Sequence, residues 1–464
     1  MYARTRHVLS LHPFSEKFLG GSRSGATRAF GVIAIVTAFF VAMNSTALSA
    51  EGTGDDRAAA TSEAPRTPAA SSEFEFLEWK DCTERILRKE VTVTATLDEV
   101  WRAWTTSEGM AAFFMPDSKI DLKLGGAYEL YMGMTEPDES GLRGSEGCRV
   151  LSYIPKEMLS FEWNFPPSVM NLRKARAKTI VVIRFTGLGG GRVKVKFAQL
   201  GWQRGKDWDL GYEYFDRAWG MVLGQLKEHF DKVAGEAAAG EPAGEAKQPA
   251  GRSWTERHVT ITAYENEPRH QAFEMVIPAP AREVWDILAT SAGMERLGAK
   301  TPSVKLKPGG AYTFWPGAPN TMLTYLPYEM LSTSGSAPPE FPNVRKAGTW
   351  GSYELEPLGE HRTRLRLVVV GWQEGEEWDN AFNYFLKNNP VFLEWIYSAL
   401  AFPVEIQAEG DRLDMMCEVS APREKVWQAF TTKEGMESWM VSHAQIDLRV
   451  GGLMKTHYAK DGVI

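Results

Sequence analysis

The sequence predicts an α+β fold written in tandem, each unit a curved antiparallel sheet wrapped around a long C-terminal helix. Three observations predict it. A Val-Trp pair followed by a Gly-Met recurs in "DEVWRAWTTSEGM" from Asp98, "REVWDILATSAGM" from Arg282 and "REKVWQAFTTKEGM" from Arg423. Gly109, Gly293 and Gly435 each follow their tryptophan (Trp101, Trp285, Trp427) by eight residues, and the pairs Gly125-Gly126, Gly309-Gly310 and Gly451-Gly452 begin 24 residues after it. Within each copy the apolar period changes from helical to strand-like and, in the first two, back to helical.

The chain has 464 residues, enough for about three domains. Before the copies, Arg4, Arg6, Lys17, Arg23 and Arg28 precede the apolar run "AFGVIAIVTAFFVAM" (29–43) and small residues up to Ala50. This reads as a secretory signal over 1–50, with an uncleaved membrane anchor as the alternative; a periplasmic or secreted protein is expected, cytoplasmic if the start is mis-assigned. Residues 51–72 lack large apolar side chains and read as a disordered tether. The first copy is placed at 73–235, an Ala/Gly/Glu/Pro linker at 236–253, the second copy at 254–404 and a truncated third at 411–464.

Each copy opens on a helix. Leu97, Val100, Trp101 and Trp104 fall on one stripe, as do Ala281, Val284, Trp285 and Leu288; the third copy keeps Val426, Trp427 and Phe430. Thr96 and Glu99 form a capping box in sequence, Pro280 and Pro422 suit a first helical turn, and the Gly-Met glycine is expected to end the helix in a left-handed conformation. Ile120, Leu122 and Leu124, like Ile446, Leu448 and Val450, alternate as half-buried strands, with the Gly-Gly pair bending into the next strand. Copy one reaches "PKEMLS" 30 residues after the first glycine of its Gly-Gly pair, copy two "PYEMLS" only 18 after, so "MTEPDESGLRGSEG" (134–147) reads as an acidic surface loop. "RVKVKFAQLGW" and "RTRLRLVVVGW" alternate, with Lys194, Lys196, Arg364 and Arg366 expected to face water. Phe215, Trp219, Val222, Leu223, Leu226 and Phe230 describe a closing helix; in copy two Pro390 is expected to kink or restart it.

These motifs, with "WNFPP" at 163–167, "NLRKA" at 171–175, "GWQRGKDWD" at 201–209 and Tyr214-Phe215, resemble the SRPBCC superfamily, and within it the branch named after the activator of the heat-shock-protein-90 ATPase. The resemblance covers roughly 75–235, 255–402 and, as an N-terminal fragment, 411–464. Copy two departs from it at Pro390 and at "GSAPP", where copy one has "WNFPP". It implies a helix-grip fold of six or seven strands with a hydrophobic cavity, and no single activity, since the superfamily includes carriers, cyclases, oxygenase subunits and co-chaperones.

Chemistry is sparse by comparison. The net charge of −7 argues against a nucleic-acid partner. Three distant cysteines and eight scattered histidines show no metal-ligand spacing, so neither metal nor cofactor is expected. "GLGGGR" (187–192) reads as a hairpin turn and not a phosphate loop. Glu157, Glu329, Asp209 and Asp379 are the carboxylates an acid/base enzyme of cyclase or hydrolase kind would use, with Tyr214. Polar-turn and helix-dipole roles suit them better. Arg173 and Arg345 read as surface charges. The sharper candidates are aromatic: Trp163, Trp202, Tyr214, Phe215 and Trp219 in copy one, with Trp372, Tyr384 and Phe385 in copy two. They are expected either to pack a solid core or to line a pocket for a small hydrophobic molecule, with Trp N–H and Tyr O–H as its polar groups. A chaperone partner is not expected of an exported chain.

Overall fold

A computed structural model describes residues 84–237, 251–266, 268–314, 319–401, 405–409, 412–417, 419 and 421–457, with the backbone of 7–11. The expected signal at 29–43, the tether at 51–72 and the linker residues 238–250 lie outside the described residues. Strand β1 (His7–Leu11) pairs antiparallel with residues 413–417.

The first module starts with β2 (Leu87–Thr94), α1 (Leu97–Thr105) and α2 (Ser107–Phe113). Thr96 accepts from the backbone N–H of Glu99 while Glu99 bonds back to the Thr96 N–H, so the capping box closes. The Gly-Met glycine does not end α1 in a left-handed turn. Gly109 lies inside α2, where Thr106 caps its N–H at 3.0 Å, and an added Cβ would stand 2.1 Å from the Arg102 carbonyl oxygen. Gly293 and Gly435 repeat this cap (2.9 and 3.0 Å) and this close approach (1.9 and 2.1 Å). The glycine is there because two helices meet backbone to backbone.

Strands β3 (Ser118–Ile120) and β4 (Tyr128–Leu130) form a hairpin shorter than the alternation suggests, since Leu122 and Leu124 already belong to the turn. At that turn Gly125 has φ +70° and a Cβ on Gly126 would meet the Asp121 carbonyl at 2.1 Å. Then follow β5 (Val150–Ile154), β6 (Met158–Asn164), a 3-10 turn at Pro167–Val169, α3 (Met170–Lys174), β7 (Lys178–Gly189), β8 (Arg192–Leu200) and α4 (Lys206–Ala237). The main sheet runs β2-β8-β7-β6-β5, fully antiparallel, with β3-β4 joined to it by an Ala127–Arg149 bridge. Gly190 and Gly191 make the β7–β8 hairpin turn at φ +61° and +65°. The α4 stripe from Phe215 to Phe230 is buried against the sheet.

The second module adds a hairpin before its copy of this plan: β9 (Arg252–Glu256) and β10 (Val259–Tyr264). Arg252 and Ser253, read from sequence as the end of the linker, are thus strand residues. The copy proper has β11 (His270–Ile277), α5 (Ala281–Ala289), α6 (Ser291–Arg296), β12 (Ser303–Val304), β13 (Ala311–Thr313), β14 (Asn320–Leu326) and β15 (Met330–Ser334). It closes with α7 (Pro342–Ala347), β16 (Trp350–Pro357), β17 (Thr363–Val370) and α8 (Glu376–Ala401). Pro280 stands one residue before the helix, at its cap. Of the kink or restart expected at Pro390, the restart does not occur: helix α8 runs through it.

The third segment has β18 (Glu405–Glu409), β19 (Arg412–Cys417), α9 (Arg423–Thr431), α10 (Lys433–Trp439), β20 (His443–Ile446) and β21 (Met454–His457). Its core is five buried residues, and Trp427 is 60% exposed. Leu448 and Val450, expected to be half-buried strand residues, are exposed in the turn.

The two complete sheets meet face to face. Ile154, Met158, Ile180, Val182, Ala198 and Leu200 share one core cluster with the second module. Ser152 Oγ meets Ser332 Oγ at 2.6 Å, Ser160 Oγ meets Thr324 Oγ1 at 2.7 Å, and the Trp350 indole N–H donates to the Tyr153 carbonyl at 2.7 Å. Two of the four cations expected to face water, Lys196 and Arg366, are drawn into this contact. Lys196 is only 7% exposed, and burial, set against nearby Glu90, lowers its ammonium to about 8. Arg366 is held by Glu157 at 2.5 Å and Glu354 at 2.9 Å. Burial raises the Glu157 carboxyl, yet Arg366 outweighs this and the net shift is downward. The alternation identified the outward face correctly; what covers it is another sheet.

Candidate functional site

Between α4 and the sheet of the first module lies a cavity of about 460 Å³. Its floor is Trp163, Asn164 and Phe165 from the end of β6, its side Phe215, Trp219 and Val222 from α4. Tyr214 and Met221 stand at the mouth, 39% and 65% exposed. Phe114 and Met115 close one end after α2, and Met132 with Met134, Arg143 and Gly144 of the acidic loop cover another.

That loop is tied down by Arg173, which is 2% exposed and therefore not the surface charge its motif suggested. Its Nε donates to Asp138 Oδ2 at 2.5 Å, and its Nη atoms donate to the carbonyls of Gly144 (3.0 Å), Phe165 (2.7 Å) and Leu142 (3.3 Å). Asn164 adds a bond to the Gly144 carbonyl at 2.9 Å. Burial alone would raise the Asp138 carboxyl. Hydrogen bonds from Ser140, Arg173 and the Ser140 and Leu142 backbone reverse that and hold it near 2. So four of the five guanidinium N–H groups fasten the loop and its neighbours, and the charge is matched on the spot by Asp138.

Of the five aromatic candidates in copy one, Trp163, Tyr214, Phe215 and Trp219 line the cavity. Trp202 does not; it is buried behind, edge-on to Phe165 at 6.0 Å. Two indole donors are already spent inside the protein. Trp219 Nε1 donates to Gln199 Oε1 at 2.8 Å and Trp202 Nε1 to the Gln199 carbonyl at 3.0 Å, so neither supplies a polar group to a guest as expected. Arg143, Asn164, Tyr214 and Gln225 are the polar side chains left on the wall beside Arg173.

In copy two, Trp372 packs on Trp378, Phe382 and Phe385, and Tyr384 on Phe341 and Phe385. The sheet registers place Gly335 where copy one has Trp163 and Ala337 where it has Phe165; the helix motif places Asn389 at Trp219. Phe392 stands at the position of Val222, edge-on to Phe314 at 5.3 Å. Arg345, the counterpart of Arg173, is exposed.

The carboxylate candidates lie elsewhere. Glu157 and Glu329 sit in the inter-module contact, paired with Arg366 and Arg88 (2.5 and 2.6 Å). Asp209 and Asp379 begin the closing helices, each with an arginine, Arg85 at 2.6 Å and Arg269 at 2.8 Å. The cavity wall carries no carboxylate, imidazole, thiol or lysine. Sequence reasoning missed Met132, Met134 and Arg143; the extra length of copy one before "PKEMLS" was their signal. Among the described residues no cluster of His, Cys, Asp and Glu could hold a metal ion, and no helix is long and apolar enough to cross a membrane.

Residues 94–231 and 420–463 match the family model described as Activator of Hsp90 ATPase homolog 1-like protein. No curated protein matches the chain. Similar solved structures include protein MLL2253 from Mesorhizobium loti, 18% identical over 32% of this chain and 98% of that one, with TM-score 0.26. Another is the Aha1 dimer from Colwellia psychrerythraea, 16% identical over 32% and 96%, with TM-score 0.24. The di-domain ARO/CYC BexL from the BE-7585A biosynthetic pathway is 13% identical over 68% and 98%, with TM-score 0.23. The two matched segments, 94–231 and 420–463, are thus similar to the Activator of Hsp90 ATPase homolog 1-like family, the branch that the motifs resemble.

Proposed function

We propose that this protein binds a small, largely apolar molecule in the cavity of the first module and performs no chemistry on it. The supporting observation is a cavity of about 460 Å³ walled by aromatic rings and methionines, with a few polar groups and no acid/base pair. Methionine suits such a wall because its flexible, polarisable side chain adapts to the guest. The size falls in the range of small-molecule sites, roughly 300–1,000 Å³. An enzyme reading needs a proton donor or nucleophile within reach of the guest, and of the five groups named for it only Tyr214 borders the cavity.

The test is titration of the full chain with a hydrophobic fluorescent probe, followed by its tryptophan emission. Saturable binding that Val222→Phe abolishes is the expected result. Binding that is absent, or unchanged by that substitution, overturns the reading. The basic segment and apolar run before Ala50 support export as a further part of the proposal. Cell fractionation checks it: recovery in the cytoplasm removes export and returns the chaperone-activating role in the family's name to consideration.

A further inference from the structure

The contact between the two modules exchanges equivalent positions. Ser152 faces Ser160 across the β5–β6 ladder, and Thr324 faces Ser332 across the β14–β15 ladder, so Ser152 corresponds to Thr324 and Ser160 to Ser332. Between the modules Ser152 pairs with Ser332 and Ser160 with Thr324. Each position meets the counterpart of its partner, which is the mark of a two-fold relation. By the same ladders Arg184, opposite Met158 and Lys196, corresponds to Glu354, opposite Met330 and Arg366. These two bond each other at 2.8 Å, 13% and 8% exposed. A position that meets its own counterpart lies on the axis.

A contact with this symmetry would serve equally well between two first modules or two second modules. Off the axis the hydroxyl pairs and the Glu157–Arg366 type of ion pair would both survive it. Two first modules would set Ser152 against Ser160 and Glu157 against Lys196. Two second modules would set Thr324 against Ser332 and Glu329 against Arg366. The axis refuses, with arginine facing arginine or glutamate facing glutamate in a nearly dry contact. Like charges so placed cost far more than an exposed pair.

We infer that Arg184 and Glu354 decide pairing specificity: the outer face of each module accepts a module of the other kind and rejects its own. The face on the first module is therefore a surface for a second module, normally that of the same chain, which the linker holds close by. Discrimination comes from one repulsive element on an otherwise self-complementary surface.

The experiment uses full-length chains with two different affinity tags. Arg184→Glu and Glu354→Arg are prepared singly and together. Each single variant places like charges on the axis within its own chain, but the two are complementary to one another. Refolded together, they are expected to form a reciprocal dimer of twice the chain's mass, and one tag is expected to recover the other several-fold more than in self-mixtures. The double variant R184E/E354R is expected to regain the wild-type mass and part of the melting temperature lost in the single variants, the rest staying lost with the Glu354–Arg366 bond. If either single variant fails to fold alone, soluble dimer from the mixture still supports the inference. A mixture no different from the separately refolded variants overturns it, as does a double variant that regains neither property.

Discussion

The closing helices of the two modules share the Gly-Trp-Gln entry and the Tyr-Phe pair, yet the space beneath them differs. In the first module Trp163, Phe165 and Trp219 frame an opening covered by a loop that Arg173 fastens. In the second, those three positions are Gly335, Ala337 and Asn389, the loop is shorter, and Phe392 meets Phe314. One plan thus carries two interiors, and the lesson is that repeat motifs specify the frame while the residues between them specify its contents.

The largest contrast is expected at the helix. Trp219→Ala removes a buried indole and leaves Gln199 without its donor, a loss of about 3–5 kcal/mol, whereas Asn389→Ala changes stability by less than about 1 kcal/mol. Chemical denaturation measures both; equal effects would break the comparison. Arg173→Met strands Asp138, and breaking such a buried pair costs about 3–5 kcal/mol. Arg345→Met, at an exposed position, is expected to stay within about 0.5 kcal/mol. Protease sensitivity at 131–147 should rise in the first variant only.

Acid sharpens the same contrast. The Asp138 carboxyl is lowered from its ordinary value to about 2, so the folded state favours its ionised form. Its contribution is present in full above the unfolded pKa, near 4, and is lost as pH falls through about 2. Asp138→Asn should flatten stability across that window, and the second module should show no counterpart. Last comes Val222→Phe, which imports the second module's side chain into the cavity. It should change stability by less than about 1.5 kcal/mol while removing probe binding.

Much of the frame was legible from sequence, because period-two and helical alternation report on which side of an element is dry. The closing stripe from Phe215 to Phe230 and the Thr96–Glu99 box were read residue by residue. What the alternation could not report was the identity of the covering layer. Lys196 and Arg366 look like solvent-facing strand residues until the opposing carboxylates, distant in sequence, come into view. The Gly109 reading failed for a related reason, since the need for glycine comes from the Arg102 backbone and not from its own dihedral angles. At the site, the aromatic wall was accessible to sequence reasoning. The fastening role of Arg173 was not, because Asp138 belongs to an insertion with no second copy to compare.

The back-to-back sheets carry a practical corollary. Severing the chain within 238–250 would give each half a bare plate of Met158, Ile180 and Val182 or of their partners, with stranded ions among them. Such halves invite precipitation or mispairing, so neither module should be expected to thrive as an independent fragment, however complete its own blueprint looks.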